Sequence, residues 1–171
     1  MNAWDEFAAW AAALGAPLSP AQIAQFAAYE ALLLAWNERI ALTAIREPHQ
    51  IRIRHFLDAL SCAAATGPLD GQRLIDIGSG AGFPGLPLKI LYPDLRLTLV
   101  DSVAKKARFL ETVAAELGLS DVIVIADRAE ALGQAAGHRE SYDWAAARAV
   151  AELRVLAELL WQTSHVLLEP M

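Results

Sequence analysis

Residues 73–85 read RLIDIGSGAGFPG: a short apolar run ending in an acid, then glycine at 78, 80, 82 and 85. Glycine gives up side-chain packing and loses the most backbone entropy on folding, so such a cluster belongs where the backbone must bend sharply or lie against another group. The apolar run Arg73–Ile77 suits a buried strand, and Leu86–Leu91 beyond the loop suits a helix. Strand, glycine loop and helix in that order form a unit of a parallel sheet, with room for a ligand at the strand's carboxyl edge.

Outward from this unit the texture continues. Apolar strands are expected at Leu95–Val100, Val122–Ala126 and Trp144–Arg148, separated by helices near Ala104–Leu117 and Val150–Leu160. Alternation of this kind predicts an α/β doubly wound, mostly parallel Rossmann-like sheet with crossover helices. Upstream of the Gly67-Pro68 break the chain reads as helices at 4–14, 20–38 and about Glu47–Ala65; the second opens on Ser19-Pro20-Ala21-Gln22, a capping box with proline at the first helical position. Residues 1–66 are therefore expected to form a helical N-terminal cap, and 67–171 the ligand-binding core, as one compact unit.

Composition narrows the class. The chain has 171 residues, 56% of them hydrophobic, yet alanine supplies much of that fraction and no apolar run reaches the ~18–20 residues of a spanning helix. A soluble, cytoplasmic protein with no membrane association is expected: Met1-Asn2-Ala3-Trp4-Asp5-Glu6 is acidic where a signal peptide is basic, and Cys62 is the single cysteine. No metal site is expected. A net charge of −6 makes diffuse attraction to nucleic acid unfavourable, so any such contact must come from a local basic face.

Asp101, at the tip of the second strand, stands where a carboxylate accepts hydrogen bonds from the hydroxyls of a ribose. It is equally placed to cap the following helix. The spacing Asp76-x-Gly78-x-Gly80-x-Gly82 differs from the dinucleotide fingerprint: an acid before the first glycine repels pyrophosphate but accepts the ammonium of an amino-acid moiety. That favours S-adenosyl-L-methionine over NAD, with Gly78, Ser79, Gly80 and Gly82 along the ligand; alternatively Asp76 caps the loop's own amides. After the third strand, Ala129 and Glu130 are candidate readers of the base, unless they simply open a solvated helix. Arg148, after the fourth, either pairs structurally or reaches the active-site rim.

The segments Trp36-Asn37-Glu38-Arg39, Leu42-Thr43-Ala44-Ile45-Arg46 and Arg54-His55-Phe56-Leu57-Asp58, followed by DIGSGAGFPGLPLKI, LVDSVAKKARFL and ARAVAEL, resemble the RsmG (GidB) family over about Ser19 to Leu160. The resemblance implies a class I methyltransferase fold and S-adenosylmethionine-dependent methylation of N7 of a guanine in 16S rRNA of the small ribosomal subunit, by a monomer. It further implies that Gly78 and Phe83 line the cofactor pocket, that Ala129 and Glu130 meet the adenine, and that Arg148 belongs to the active-site rim. Asn37, Arg46, Arg54 and His55 match the cap signature, and with Arg128 they are the candidate contacts to RNA. Arg52, Lys105, Lys106 and Arg148 complete the expected basic face. N7 is unprotonated at neutral pH, so no acid–base residue is required of the enzyme. The chain departs from the family after Leu160: no Gly-Gly turn follows, the last strands are expected to be missing, and Val166–Leu168 is the candidate for a fifth strand. That departure raises a second reading, a non-catalytic cofactor- or ribosome-binding remnant. A dinucleotide oxidoreductase is a third, for which no hydride-transfer residue is evident.

Overall fold

In a computed structural model, residues 2–147 and 153–168 are described. Three helical stretches come first: α1 (Ala3–Ala13), α2 (Pro20–Asn37), and a run made of α3 (Pro48–Ile51), a π-helical turn (Arg52–Leu57) and α4 (Asp58–Thr66). The α/β part follows as β1 (Arg73–Ile77), α5 (Gly85–Leu91), β2 (Arg96–Val100), α6 (Ala104–Glu116), β3 (Val122–Ile125), α7 (Ala129–Gln134), β4 (Tyr142–Ala147), α8 (Leu153–Leu159) and β5 (Leu160–Leu168).

The five strands form one sheet in the order β3-β2-β1-β4-β5, and every pairing is parallel. The chain steps outward from β1 to β2 and β3, then returns to its other side with β4 and β5. This is the reversal that opens a crevice at the carboxyl edge of a doubly wound sheet. The fifth strand is longer than the three residues expected of it and begins directly after α8. A bulge interrupts its register with β4 between Tyr142 and Trp144. Arg148, like the first residues expected of the following helix, lies outside the described residues.

Both faces of the sheet are covered, as a parallel sheet requires. Alternation along the strands sends Leu74, Leu97, Leu99 and Ala146 to one side, into a cluster that continues without a break to Phe26, Phe56 and Phe7 of the helical cap. Ile75, Ile77, Val100 and Ala145 go to the other side, against Leu132 of α7 and Leu156 of α8. The cap and the sheet thus share one core.

The long cap helix α2 begins as its sequence dictates. The Ser19 hydroxyl accepts from the Gln22 amide at 3.2 Å while the Gln22 side chain accepts from the Ser19 amide at 2.8 Å, a complete capping box. Gln22 also donates to the carbonyl of Ile90 at 2.8 Å, which ties the start of α2 to the end of α5. At the same end of α5 the ammonium of Lys89, fully buried, donates to the carbonyls of Pro93 and Leu95 and fixes the turn into β2. Burial pushes this ammonium below the ordinary lysine range, although Asp121 and Asp94 act against the shift.

Candidate active site

The glycine loop leaves β1 in left-handed conformations at Gly78, Gly80 and Gly82, with φ of 68°, 55° and 99°. These glycines do different work. At Gly78 a Cβ would meet nothing within 4 Å, so this stretch of backbone is bare toward a cleft of ≈ 290 Å³. At Gly82 a Cβ would stand 2.5 Å from Leu86 and 2.6 Å from the Tyr29 hydroxyl. At Gly85 it would stand 2.8 Å from both Asp76 Oδ2 and Leu99. One glycine faces an open crevice, and two allow close packing behind the loop.

The cleft lies at the carboxyl ends of β1, β2 and β3 and is lined by Ile77, Gly78, Val100, Asp101, Ser102, Asp127, Arg128, Ala129 and Glu130. Asp101 is its buried acid. One oxygen accepts from the Gly80 amide at 2.9 Å and the other from the Val103 amide at 2.9 Å. Asp101 thus caps the loop and closes a turn just before α6; the helix cap expected of it is not formed, since Val103 is the N-cap residue and receives no side-chain cap. A carboxylate has about four lone-pair sites, so acceptor capacity is left on each oxygen for a pair of hydroxyls in the cleft. Ala129 and Glu130 begin α7 at the opposite wall, where Ala129 is buried and Glu130 exposed.

Other expected ligand contacts sit elsewhere. Asp76 is buried beneath the loop, where its Oδ2 accepts from the Gly85 amide at 3.0 Å; the geometry satisfies its reading as a cap of the loop's own amides. Ser79 is also buried: its hydroxyl donates to the Asp76 carbonyl at 2.8 Å and its amide to Val100 at 3.0 Å, which locks the loop to the tip of β2. The Phe83 ring is buried among cap aromatics rather than in the cleft. It stacks on His55 at 4.6 Å and 11° between planes, and on Tyr29 at 5.6 Å and 25°. Phe83, expected to line the cofactor pocket, does not line this cleft.

The cap residues expected to meet RNA divide into two groups. Asn37 is buried, and its amide closes the following turn by accepting from Leu42 at 2.9 Å and Thr43 at 3.1 Å and donating to the Thr43 carbonyl at 2.9 Å. Arg52 is likewise buried, bonded to both Glu30 carboxylate oxygens at 2.9 Å and lying 5.0 Å over the Trp4 ring. Burial pushes the Glu30 carboxyl above its ordinary range against the pull of Arg52. These two are scaffold: Asn37 is consumed by the turn that follows its own helix, and Arg52 by Glu30 of α2, a partner the sequence pattern does not reveal. Arg46, Arg54, Lys105 and Arg128 are exposed and Lys106 half-exposed; Arg46 shares a surface ion pair with Glu38 at 3.3 Å.

Of these exposed cations, Arg46, Lys105, Lys106 and Arg128 lie toward one end of the molecule. α2 runs antiparallel to α6, since Gln25 near its start donates to the Leu117 carbonyl at the end of α6, while Trp36 near its end meets Phe109 with centroids 5.7 Å apart. The turn after α2, which carries Arg39 and Arg46, therefore lies toward the first turn of α6 with Lys105 and Lys106, at the carboxyl edge of the sheet. Arg39, exposed on this rim, closes the Trp36-Asn37-Glu38-Arg39 segment without having been singled out there; the packing of α2 on α6 gives it this place.

A parallel sheet with this order, a glycine loop after β1 and an acid after β2 has the class I methyltransferase fold. Solved structures agree: the chain superposes on a putative S-adenosyl-L-methionine-dependent methyltransferase from Methanococcus maripaludis with a TM-score of 0.59 at 14% identity, covering 81% of this chain and 61% of that one. A SAM-dependent methyltransferase from Thiobacillus denitrificans, in complex with S-adenosyl-L-homocysteine, gives a TM-score of 0.54 at 21% identity over 65% of this chain and 46% of that one.

The chain belongs to the GidB family, rRNA small subunit methyltransferase G, whose pattern matches residues 22–167. It is 55% identical to the ribosomal RNA small subunit methyltransferase G of Roseiflexus castenholzii over 90% of this chain and 65% of that protein. To the protein of the same name in Alkaliphilus metalliredigens it is 49% identical, over 85% of this chain and 61% of the relative. The chain thus spans under two-thirds of the length of these relatives.

Proposed function

We propose that this chain is an S-adenosylmethionine-dependent methyltransferase acting on RNA of the small ribosomal subunit, with N7 of a guanine in 16S rRNA as the nucleophile. The observation that carries the reading is Asp101: a buried carboxylate at the wall of a cleft, bonded to two backbone amides and retaining acceptor capacity toward the open side. Asp101 would hold the ribose hydroxyls, Gly78 would leave its backbone bare to the ligand, and Ala129 and Glu130 would meet the adenine. The bound cofactor supplies an electrophilic methyl group on a sulfonium sulfur.

Held by Asp101 and the bare backbone at Gly78, the cofactor would present its methyl carbon to the N7 lone pair, with the sulfonium sulfur as leaving group taking the electrons of the carbon–sulfur bond. No proton moves, so the protein's part is alignment and exclusion of water, an effect that reaches about 7–11 kcal/mol in favourable cases. The rim of Arg39, Arg46, Lys105, Lys106 and Arg128 supports an RNA substrate despite the acidic total, because phosphate attraction is set by local charge. A guanine in a loop or splayed strand is the accessible target.

Calorimetric titration with S-adenosylmethionine and, separately, NAD tests the cofactor assignment. Methyl transfer to 16S rRNA and to assembled small subunits, read as N7-methylguanosine by mass spectrometry of a nuclease digest, tests the reaction. Micromolar binding of S-adenosylmethionine alone, with N7-methylguanosine formed, is expected. Binding without transfer would reduce the chain to a cofactor-binding module, and NAD binding would overturn the assignment.

A further inference from the structure

Behind the glycine loop the cap holds a relay of side chains that capping and core burial do not account for. The Asn37 amide fixes the turn that ends at Thr43. The Thr43 hydroxyl accepts from the Ile45 amide at 3.1 Å and lies 2.7 Å from His55 Nε2. The His55 ring, on the π-helical turn, stacks nearly parallel on Phe83. Phe83 is the residue that follows Gly82, and the Tyr29 hydroxyl donates to the Ala81 carbonyl just before it. The loop that faces the cleft is thus gripped from behind by the cap.

We propose that His55 is a positioning residue for the cofactor loop: held in its ring orientation by Thr43, it seats Phe83 and so fixes the backbone of residues 78–82 in the conformation that receives the ligand. This rests on the cofactor reading above. His55 had been a candidate for RNA contact on the strength of the motif; the geometry turns its ring to the loop and its Nε2 to Thr43. A loop with three left-handed glycines has little intrinsic stiffness, so its shape must be imposed by what it packs on. An offset, near-parallel ring contact constrains two translations and a tilt, and one hydrogen bond on the ring nitrogen constrains the rotation that remains.

The test uses the intact chain and two readouts: the Kd for S-adenosylhomocysteine by calorimetry, and amide hydrogen exchange of residues 78–82 in the free protein. His55→Ala should weaken binding roughly three- to tenfold and speed exchange in the loop. Thr43→Val, which spares the stacked ring, should weaken binding by about threefold or less. His55→Phe keeps the stack and should restore most of the loss, a rescue that a hydrogen-bonding role with RNA would not produce. Arg73→Ala, at the opposite edge of the sheet, controls for general destabilisation and should leave both readouts unchanged.

The proposal fails if His55→Ala, folded, binds and exchanges like the parent, or if Arg73→Ala weakens binding to the same extent. If the parent chain does not bind S-adenosylhomocysteine, the cofactor reading fails while loop exchange still decides the role of His55.

Discussion

Carboxylates are used differently at the ligand edge of this molecule and away from it. Asp101, at the carboxyl edge of the sheet, is held by two backbone amides. Glu30 in the cap and Asp143 at the amino edge are each gripped by an arginine, Arg52 and Arg73, through both carboxylate oxygens. Amide donors orient a carboxylate without neutralising it, whereas an arginine bonded to both oxygens offsets the charge and takes up both acceptor atoms. The first arrangement leaves something for a ligand; the second stabilises a fold.

This contrast sets the size of two substitutions. Glu30→Ala strands the buried Arg52 guanidinium, so it should cost about 3 kcal/mol of stability, within the range for breaking a buried pair. Chemical denaturation measures the loss, and the folded fraction at low temperature should keep its affinity for S-adenosylhomocysteine. Asp101→Ala should do the reverse. Its cofactor Kd rises on the order of 100-fold, about 2.7 kcal/mol, through loss of two charge-assisted hydrogen bonds. Stability falls by about 1–2 kcal/mol as the Gly80 and Val103 amides lose their acceptor. Calorimetry showing an unchanged Kd in Asp101→Ala would dissolve the distinction between the two kinds of carboxylate.

The glycines sharpen the same comparison. Gly85→Ala presses a methyl group onto Asp76 and Leu99, and about 2 kcal/mol of destabilisation is expected from overpacking. Gly78→Ala meets no atom of the protein, and its left-handed φ costs about 1–2 kcal/mol. The new methyl group projects where the ligand belongs, so its larger effect should be on the Kd. Measured together by urea denaturation and calorimetry, the pair should separate a packing glycine from a binding one.

How much of this was legible in the sequence depends on range. β1 matches its expected span residue for residue, and the other core strands begin or end within two residues of theirs where described, because a buried parallel strand is a continuous apolar run. The places of Asp101 and Gly78 at the wall of the cleft were legible for the same reason: each follows directly on the end of a strand. Asn37, Arg52 and Phe83 were misplaced at the surface or in the pocket because motif membership says nothing about direction. Thr43 meets Asn37 in the turn that follows α2, Glu30 meets Arg52 only when the cap helices pack together, and His55 meets Phe83 only when the cap folds onto the sheet. The π-helical turn under His55 has no local composition to announce it, and Arg39 gains its place on the rim solely from the antiparallel packing of α2 on α6.

The smallest effect concerns the amino edge. Asp143 receives hydrogen bonds from the Arg73 guanidinium and from the Arg73 amide, and the guanidinium bonds first of all hold its carboxyl below the ordinary aspartate range. The proton is thus bound more weakly in the native chain than in the unfolded one. The pair's contribution is complete above the unfolded value of about 4 and is lost as pH falls from there through the depressed native value. Both side chains are more than a third exposed, at 43% for Arg73 and 38% for Asp143, so solvent screening keeps the contribution below about 1 kcal/mol. Asp143→Asn should therefore lie slightly below the parent in urea midpoint at pH 7, and the gap should close toward pH 3. A gap that stays constant with pH would mean that the amide hydrogen bond to Arg73, rather than the charge, is what ties β4 to the start of β1.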